Sequence, residues 1–257
     1  MSTVLELRDV VVDFDGFRAL DGVSLRVERG ELRFLIGPNG AGKTTIIDVI
    51  TGLTRTASGD VLFNGTSIAR RREHQRVHLG IGRSFQTPTV FESLTVLDNL
   101  DLAASFRRRL PRLFARRRGV DPAIASTLER IGLAADAHRP AAALSHGQKQ
   151  WLEIGMLLVQ EPALLLLDEP VAGMTPRERL ATGALLQDLV GEHTVVVVEH
   201  DMAFLRRFAS SVTVLHEGRV VSEGTVEEVQ SDPVVREVYL GRSRDERSGA
   251  APVEVTG

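Results

Sequence analysis

The chain has 257 residues, 43% of them hydrophobic and 25% charged, with a formal net charge of −3 and no cysteine. That length suffices for one large domain, or a domain with a subdomain, around a sizeable core. The balanced charge excludes the strongly basic footprint of a nucleic-acid binder, and the lack of cysteine excludes disulfides and thiolate metal sites. Residues 1–9 meet charge before an apolar h-region can form, so no signal peptide is read. The apolar runs Leu164–Leu167 and Val195–Val198 are too short to cross a bilayer and suit buried strands. A soluble, cytoplasmic protein is expected, with any membrane role supplied by a partner.

In chain order the pattern opens β-rich. Leu5–Phe14 and Val23–Val27 read as strands. Leu32–Ile36 is a third, running into a glycine-rich turn and then a helical stretch over Lys43–Leu53. The turn, Gly37-Pro38-Asn39-Gly40-Ala41-Gly42-Lys43-Thr44-Thr45, fits G-x-x-x-x-G-K-[ST] in its required setting after a strand and before a helix. Glycines let the backbone turn tightly and aim its N–H groups at phosphate oxygens, and the helix that follows offers its unpaired N–H groups to the same anion. Lys43 is expected to reach the outer phosphates and Thr44 to offer its hydroxyl to Mg²⁺. The alternative is a glycine-rich turn with an incidental lysine. The chain has only two lysines, Lys43 and Lys149, against many arginines, which weighs against accident.

Val61–Phe63 is another short strand. From about Pro88 to Gly155 the strand signals thin out in favour of helix-length segments, including the arginine-dense run Arg107–Arg118. That run reads either as a solvated loop, with Pro111 breaking any long amphipathic helix, or as a patch near anionic lipid or a membrane partner. Near the end of this region Leu144-Ser145-His146-Gly147-Gln148 places a capping box, Ser145-x-x-Gln148, at the start of a helix. Trp151, Ile154, Gly155 and Leu158 form its packing stripe. Ser145 and the Gly147 N–H, at a positive helix end, are suited to binding a phosphate.

Strands and helices then alternate: Leu164–Leu167, helix Pro176–Val190, Thr194–Val198, and a helix beginning near Met202. Such alternation predicts a parallel sheet covered by helices. The first of these strands ends in Asp168-Glu169-Pro170, and in open parallel sheets the site lies beyond the carboxyl ends of the strands. Asp168 is expected to hold the Mg²⁺ shell and Glu169 to polarise an attacking water; a solvent-facing strand cap is the plain alternative. The second strand ends in Glu199-His200-Asp201, where His200 is placed to bond the γ-phosphate and orient the water and Glu169. Val212–His216 and Arg219–Ser222 read as a closing hairpin through Glu217-Gly218, and residues 242–257 as a disordered tail.

Together these segments resemble the ATP-binding-cassette (ABC) ATPases over about residues 5–241. The signature of that family is Leu-Ser-Gly-Gly-Gln, with His146 here replacing its first glycine. The resemblance implies an α/β P-loop cassette with a parallel core sheet, an antiparallel β subdomain and a helical insertion at about residues 87–160. It implies that two cassettes lie head to tail, each signature (Ser145, Gly147, Gln148) closing the site of the other. It assigns Gln86 to the metal and the water and to the link with the helical insertion, His200 to the switch position, and Phe14 to stacking on adenine. Phe17 competes for that stacking role, and either ring could be core. Thr175, ending Ala172-Gly173-Met174-Thr175 where the family usually has aspartate, is the second departure. Cofactors implied are ATP and Mg²⁺.

Within the family, the segments Ser145–Leu158, Pro170–Thr175, Val195–Met202 and the ending Val229–Arg242 resemble the ATPases of urea importers, inside the larger group of branched-chain amino-acid importers. That resemblance implies two permease subunits in the membrane, a substrate-binding protein, a second ATPase subunit, identical or not, and a peripheral place on the cytoplasmic face. Other readings are a lipopolysaccharide-export ATPase of similar size, a degenerate regulatory cassette, and an ABC ATPase acting on nucleic acid or ribosomes. The last usually carries a second cassette or a long coiled coil, which this chain lacks.

Overall fold

The computed structural model describes residues 2–85, 87–106 and 120–237. Gln86, the run Arg107–Arg118 and the tail 242–257 lie wholly or almost wholly outside the described residues. The strands form two sheets. The first is antiparallel, in the order β2 (Phe17–Glu28), β1 (Thr3–Phe14), β4 (Ser58–Phe63), β5 (Thr66–Ser67). The second runs β10 (Arg219–Gly224), β9 (Ser211–His216), β3 (Leu32–Ile36), β8 (Thr194–Val198), β7 (Leu164–Asp168), β6 (Ile81–Arg83). It is parallel throughout except for the β9–β10 hairpin at its edge.

The unbroken apolar runs of β7 and β8 follow from covering both faces of a parallel sheet. Alternation divides their side chains between two clusters. Phe34, Leu165, Leu167, Val195 and Val197 enter one, shared with the helical region. Leu35, Leu164, Leu166, Val196 and Val198 enter the other, with α1 (Lys43–Thr51) and the antiparallel sheet. Each core strand is thereby pinned from two sides, and its carboxyl end has little freedom.

Several boundaries differ from expectation. The hairpin strand expected at Val23–Val27 extends back to Phe17 because β2 pairs along most of β1. Helix α1 stops at Thr51, where Gly52 turns left-handed at φ 89° and caps it through the Asp48 carbonyl. Ile81–Arg83, too short and glycine-broken to read as a strand, nevertheless pairs with Leu164–Leu166 as the sheet edge.

The middle of the chain adds α2 (Glu73–His78), α3 (Val96–Ser105), α4 (Pro122–Arg130) and α5 (His146–Leu158). Gly155 is the point where three of them meet: a Cβ there would lie 2.7 Å from Ile131, just past α4, and 3.2 Å from Leu100 on α3. Helices α6 (Pro176–Leu189) and α7 (Met202–Phe208) leave β7 and β8 respectively, and α8 (Val226–Ser231) follows β10. Among the described residues no helix is long and apolar enough to cross a membrane.

Gly183 lets α6 and α7 close on each other. A Cβ at this position would lie 2.3 Å from the Phe208 ring. Overpacking a filled core costs about 1–3 kcal/mol, against a helix-propensity gain of about 1 kcal/mol for alanine over glycine. Gly183→Ala should therefore lower the denaturant midpoint; an unchanged or raised midpoint would show that Phe208 moves aside freely.

Candidate active site

The glycine-rich bend follows β3 directly, and its shape is set by positions where only glycine is comfortable. At Gly37 a Cβ would lie 2.3 Å from the Leu215 carbonyl oxygen, and at Gly42 (φ 102°) it would lie 2.7 Å from Leu20. Gly40, also left-handed at φ 78°, has nothing within 4 Å and faces open space. The bend is underpinned by the turn of the β9–β10 hairpin. Gly218 donates its N–H to the Ala41 carbonyl at 3.0 Å and accepts from Asp21 N–H at 2.8 Å. Thr44 is exposed at the start of α1, with Thr45 beside it.

Lys43 is 9% exposed. Its Nζ arches back over the bend, donating to the carbonyls of Gly37 at 2.8 Å and Pro38 at 3.0 Å. Burial pulls its pKa below the ordinary lysine value, while the charges of Glu169 and Asp168 resist that fall. The ammonium is therefore within electrostatic reach of both Asp168, which ends β7, and Glu169 just after it.

Asp168 is 3% exposed. Burial raises its pKa, opposed first by Arg83, whose guanidinium lies 3.8 Å from one carboxylate oxygen and 2.6 Å from Asp48. The other oxygen, Oδ1, is buried with no hydrogen-bond partner. Buried carboxylate oxygens are seldom left so, and a divalent cation is the partner this chemistry suits. Mg²⁺ is usually held by one or two carboxylates together with phosphate oxygens, so Asp168 and the Thr44 hydroxyl beside a phosphate cradle fit that ion.

Glu169 turns left-handed at φ 49°, a costly conformation for a residue with a side chain, and donates its N–H to Val198 at the end of β8. The bend sets its carboxylate 3.4 Å from His200 Nδ1. Behind them, Glu199 is 2% exposed and accepts N–H groups from Val171, His200 and Asp201 at 3.3, 3.1 and 3.5 Å. Burial pushes its carboxyl up, and those N–H groups counter it. Glu199 thus ties the loop after Glu169 to the loop carrying His200. Arg179 repeats the tie, pairing with Asp201 at 2.6 Å.

The signature lies elsewhere. Ser145 caps α5, its Oγ accepting from Gln148 N–H at 3.2 Å and Gln148 Oε1 accepting from Ser145 N–H at 3.0 Å. Among the described residues neither Ser145 nor Gln148 bonds to the glycine-rich bend; their partners beyond the box are Glu178 and Asp136. Thr175 caps α6, accepting from Glu178 N–H at 3.3 Å, a task threonine and aspartate both perform. That explains the second departure from the family pattern. Further along α5, Glu153 accepts N–H groups from Thr89 at 3.1 Å and Phe85 at 3.5 Å, on either side of Gln86 in sequence. Burial pushes its carboxyl up to about 7.

Phe14 and Phe17 pair across the tip of the β1–β2 hairpin and are 49% and 66% exposed, so neither belongs to the core. Lys43, Asp168, Glu169 and His200 are thus brought together; Ser145, Gly147 and Gln148 are brought to each other but not to that cluster. Sequence reading passed over Arg83, Glu153, Glu178 and Glu199. Glu199 carried a signal as a carboxylate at the end of an apolar strand, and Glu178 one as the last residue of the capping box Thr175-x-x-Glu178; Arg83, Glu153 and the contact of Glu178 with Ser145 depend on tertiary packing.

The family described as ABC transporter matches residues 20–172, and that described as branched-chain amino acid ATP-binding cassette transporter matches residues 219–245. The chain is 34% identical over 251 residues to the high-affinity branched-chain amino acid transport ATP-binding protein BraF of Pseudomonas aeruginosa, covering 93% of this chain and 98% of that protein. It is 33% identical to the probable branched-chain amino acid transport ATP-binding protein LivG of Methanocaldococcus jannaschii, covering 93% and 97%. Among solved structures, the ADP conformation of an ATP-binding cassette of an ABC transporter superposes with a TM-score of 0.81 at 32% identity, over 94% of this chain and all of that one. The fold is that of the ABC cassettes, and the chain belongs to the ABC transporter ATP-binding subunits of the branched-chain amino-acid importer type, an ATPase.

Proposed function

We propose that the chain binds ATP with Mg²⁺ between its own glycine-rich bend and the signature of a second cassette, and that hydrolysis there powers an importer. One observation carries this reading. The site divides into two groups, Lys43–Asp168–Glu169–His200 and Ser145–Gly147–Gln148, and among the described residues no hydrogen bond or ion pair links one to the other, the signature bonding instead to Glu178 and Asp136. A head-to-tail pair joins them.

Bound Mg²⁺ supplies charge neutralisation at the phosphates and a fixed geometry for them. The chain's residues do the rest. Backbone N–H groups of Gly40, Gly42, Lys43 and Thr44 cradle phosphate oxygens, and Lys43 exchanges its carbonyl partners for the outer phosphates. Asp168, whose Oδ1 is buried without a partner, and the Thr44 hydroxyl would hold the ion. Glu169 accepts a proton from the attacking water, and His200, held at 3.4 Å from it, orients both water and γ-phosphate. Phe14 offers an exposed face to adenine. The family resemblance assigns Gln86, outside the described residues, to the metal and the water. The family resemblance supports a peripheral place on the cytoplasmic face of the membrane, against permease subunits and indirectly served by a substrate-binding protein, and the groove lined by Phe85, Arg76, Val77 and Leu157 is a candidate seat for a permease segment. The resemblance supports reading residues 1–241 as the cassette and the insertion at about 87–160 as the lever between nucleotide and permease.

For the cargo, the segments Ser145–Leu158, Pro170–Thr175 and Val195–Met202 favour urea, whereas the relatives named above are branched-chain amino acid transport proteins. Deleting the gene should abolish growth on low urea as sole nitrogen source; unimpaired growth and urea uptake, with loss of leucine uptake instead, would transfer the cargo to branched-chain amino acids.

Two substitutions test the chemistry. Glu169→Gln should lower turnover about 10²–10⁴-fold, the usual loss for a positioned base, while ATP binding persists and the paired state accumulates; near-normal turnover would remove Glu169 from that role. Lys43→Ala removes a charge-assisted phosphate contact and should weaken ATP affinity itself, measured by equilibrium titration. Full retained affinity would contradict the assignment of the bend.

A further inference from the structure

Glu178 sits on the signature. Its carboxylate splits its two oxygens between two loops. Oε2 accepts from Thr175 N–H at 2.9 Å and from Thr175 Oγ1 at 2.8 Å, which completes the cap of α6. Oε1 accepts the Ser145 hydroxyl at 3.2 Å, and it lies so close to Gly147 that a Cβ there would meet it at 2.6 Å. The N–H of Thr175 is the first cause holding this carboxyl below the ordinary glutamate range, so it is ionised at neutral pH. His146, the residue that departs from the signature pattern, borders Gly173 in the same loop as Thr175, with its ring atoms 3.6 Å from where a Cβ on Gly173 would stand.

Resting on the head-to-tail reading above, we infer that Glu178 is a positioning residue that latches the signature: its carboxylate occupies the Ser145 hydroxyl and must yield it before a nucleotide phosphate from the second cassette can bind there. The chemistry is exclusive. A serine hydroxyl has one proton to donate, and it goes to Glu178 or to the phosphate. A carboxylate on the seat of a phosphate also repels it, and that repulsion is strong where the pair closes and water leaves. The same contact relates the two departures from the family pattern. The backbone N–H at 175 would serve Glu178 Oε2 whatever the residue, but the threonine hydroxyl adds a second donor at 2.8 Å where an ionised aspartate has no proton to give. The latch therefore links the loop behind Glu169 of one site to the signature serving the other, so that closing one site is sensed at both.

The sign of one effect tests this. In the full chain carrying Glu169→Gln, so that ATP persists, the dimer fraction is followed by light scattering against Mg-ATP concentration, with and without Glu178→Gln. Glutamine at this position keeps the capping box, so the fold and the cap of α6 persist, and only the charge and the preference for the Ser145 proton are lost. The latch predicts that Glu178→Gln lowers the half-saturating Mg-ATP for dimerisation about three- to tenfold, consistent with removing a like charge beside the phosphate, while Mg-ATP affinity of the monomer changes less than about twofold. An unchanged or raised half-saturation with the same monomer affinity is the result for a carboxylate that merely caps α6, and would overturn the latch. If the parent protein itself shows no nucleotide-driven dimer, the head-to-tail reading fails and the latch falls with it.

Discussion

The ammonium of Lys43 is the charge around which the rest of the molecule is arranged. It is buried, held by two loop carbonyls, and feels the charges of Asp168 at the end of β7 and of Glu169 just after it. A buried cation is costly unless its surroundings compensate it. Here the compensation comes from elements far apart in sequence: the bend after β3, the end of β7 and, through Glu169, the end of β8. Phosphate oxygens are the natural exchange partner for such a cation, because they replace weak neutral acceptors with charged ones at little cost in geometry.

That arrangement depends on strand ends being held in register. β3 lies beside β8, β8 beside β7, with parallel pairing of Leu35 with Val198 and of Asp168 with Val198. Since side chains on both faces of these strands are buried in different clusters, a slip of one residue would turn each strand inside out. The register that aligns the bend, Asp168 and Glu199 is thus enforced by the core. The loops beyond the strands are then joined by buried carboxylates as well as by apolar contact: Glu199 joins the loops after β7 and β8, and Glu153 holds the N–H groups of Phe85 and Thr89 against α5. Such joints are directional, since each carboxylate accepts from named N–H groups.

Much of this was legible in the sequence. The bend announces itself because its chemistry demands glycines, a lysine and a threonine at fixed spacing, and the apolar runs ending in Asp168-Glu169 and Glu199-His200 mark strand ends. The capping boxes at Ser145 and Thr175 are local and were readable for the same reason, although only the first was read. What escaped is what depends on tertiary neighbours. β6 is three residues with a glycine in the middle, and becomes a strand only because β7 accepts it. Arg83 and Glu178 look like ordinary surface charges until folding sets them beside Asp168 and Ser145. The cargo is absent from the physics altogether, since no residue described here is built to touch it, and only resemblance speaks to it.

The central claim is that the bend at residues 37–45, with Lys43 at its centre, grips a nucleotide's phosphates. Calorimetric titration of the purified chain with Mg-ATP addresses it directly, with circular dichroism recorded on the same sample. The account predicts saturable binding of one nucleotide per chain, abolished by pyrophosphate competition at the same site. No binding heat from a chain whose secondary structure is intact would contradict it.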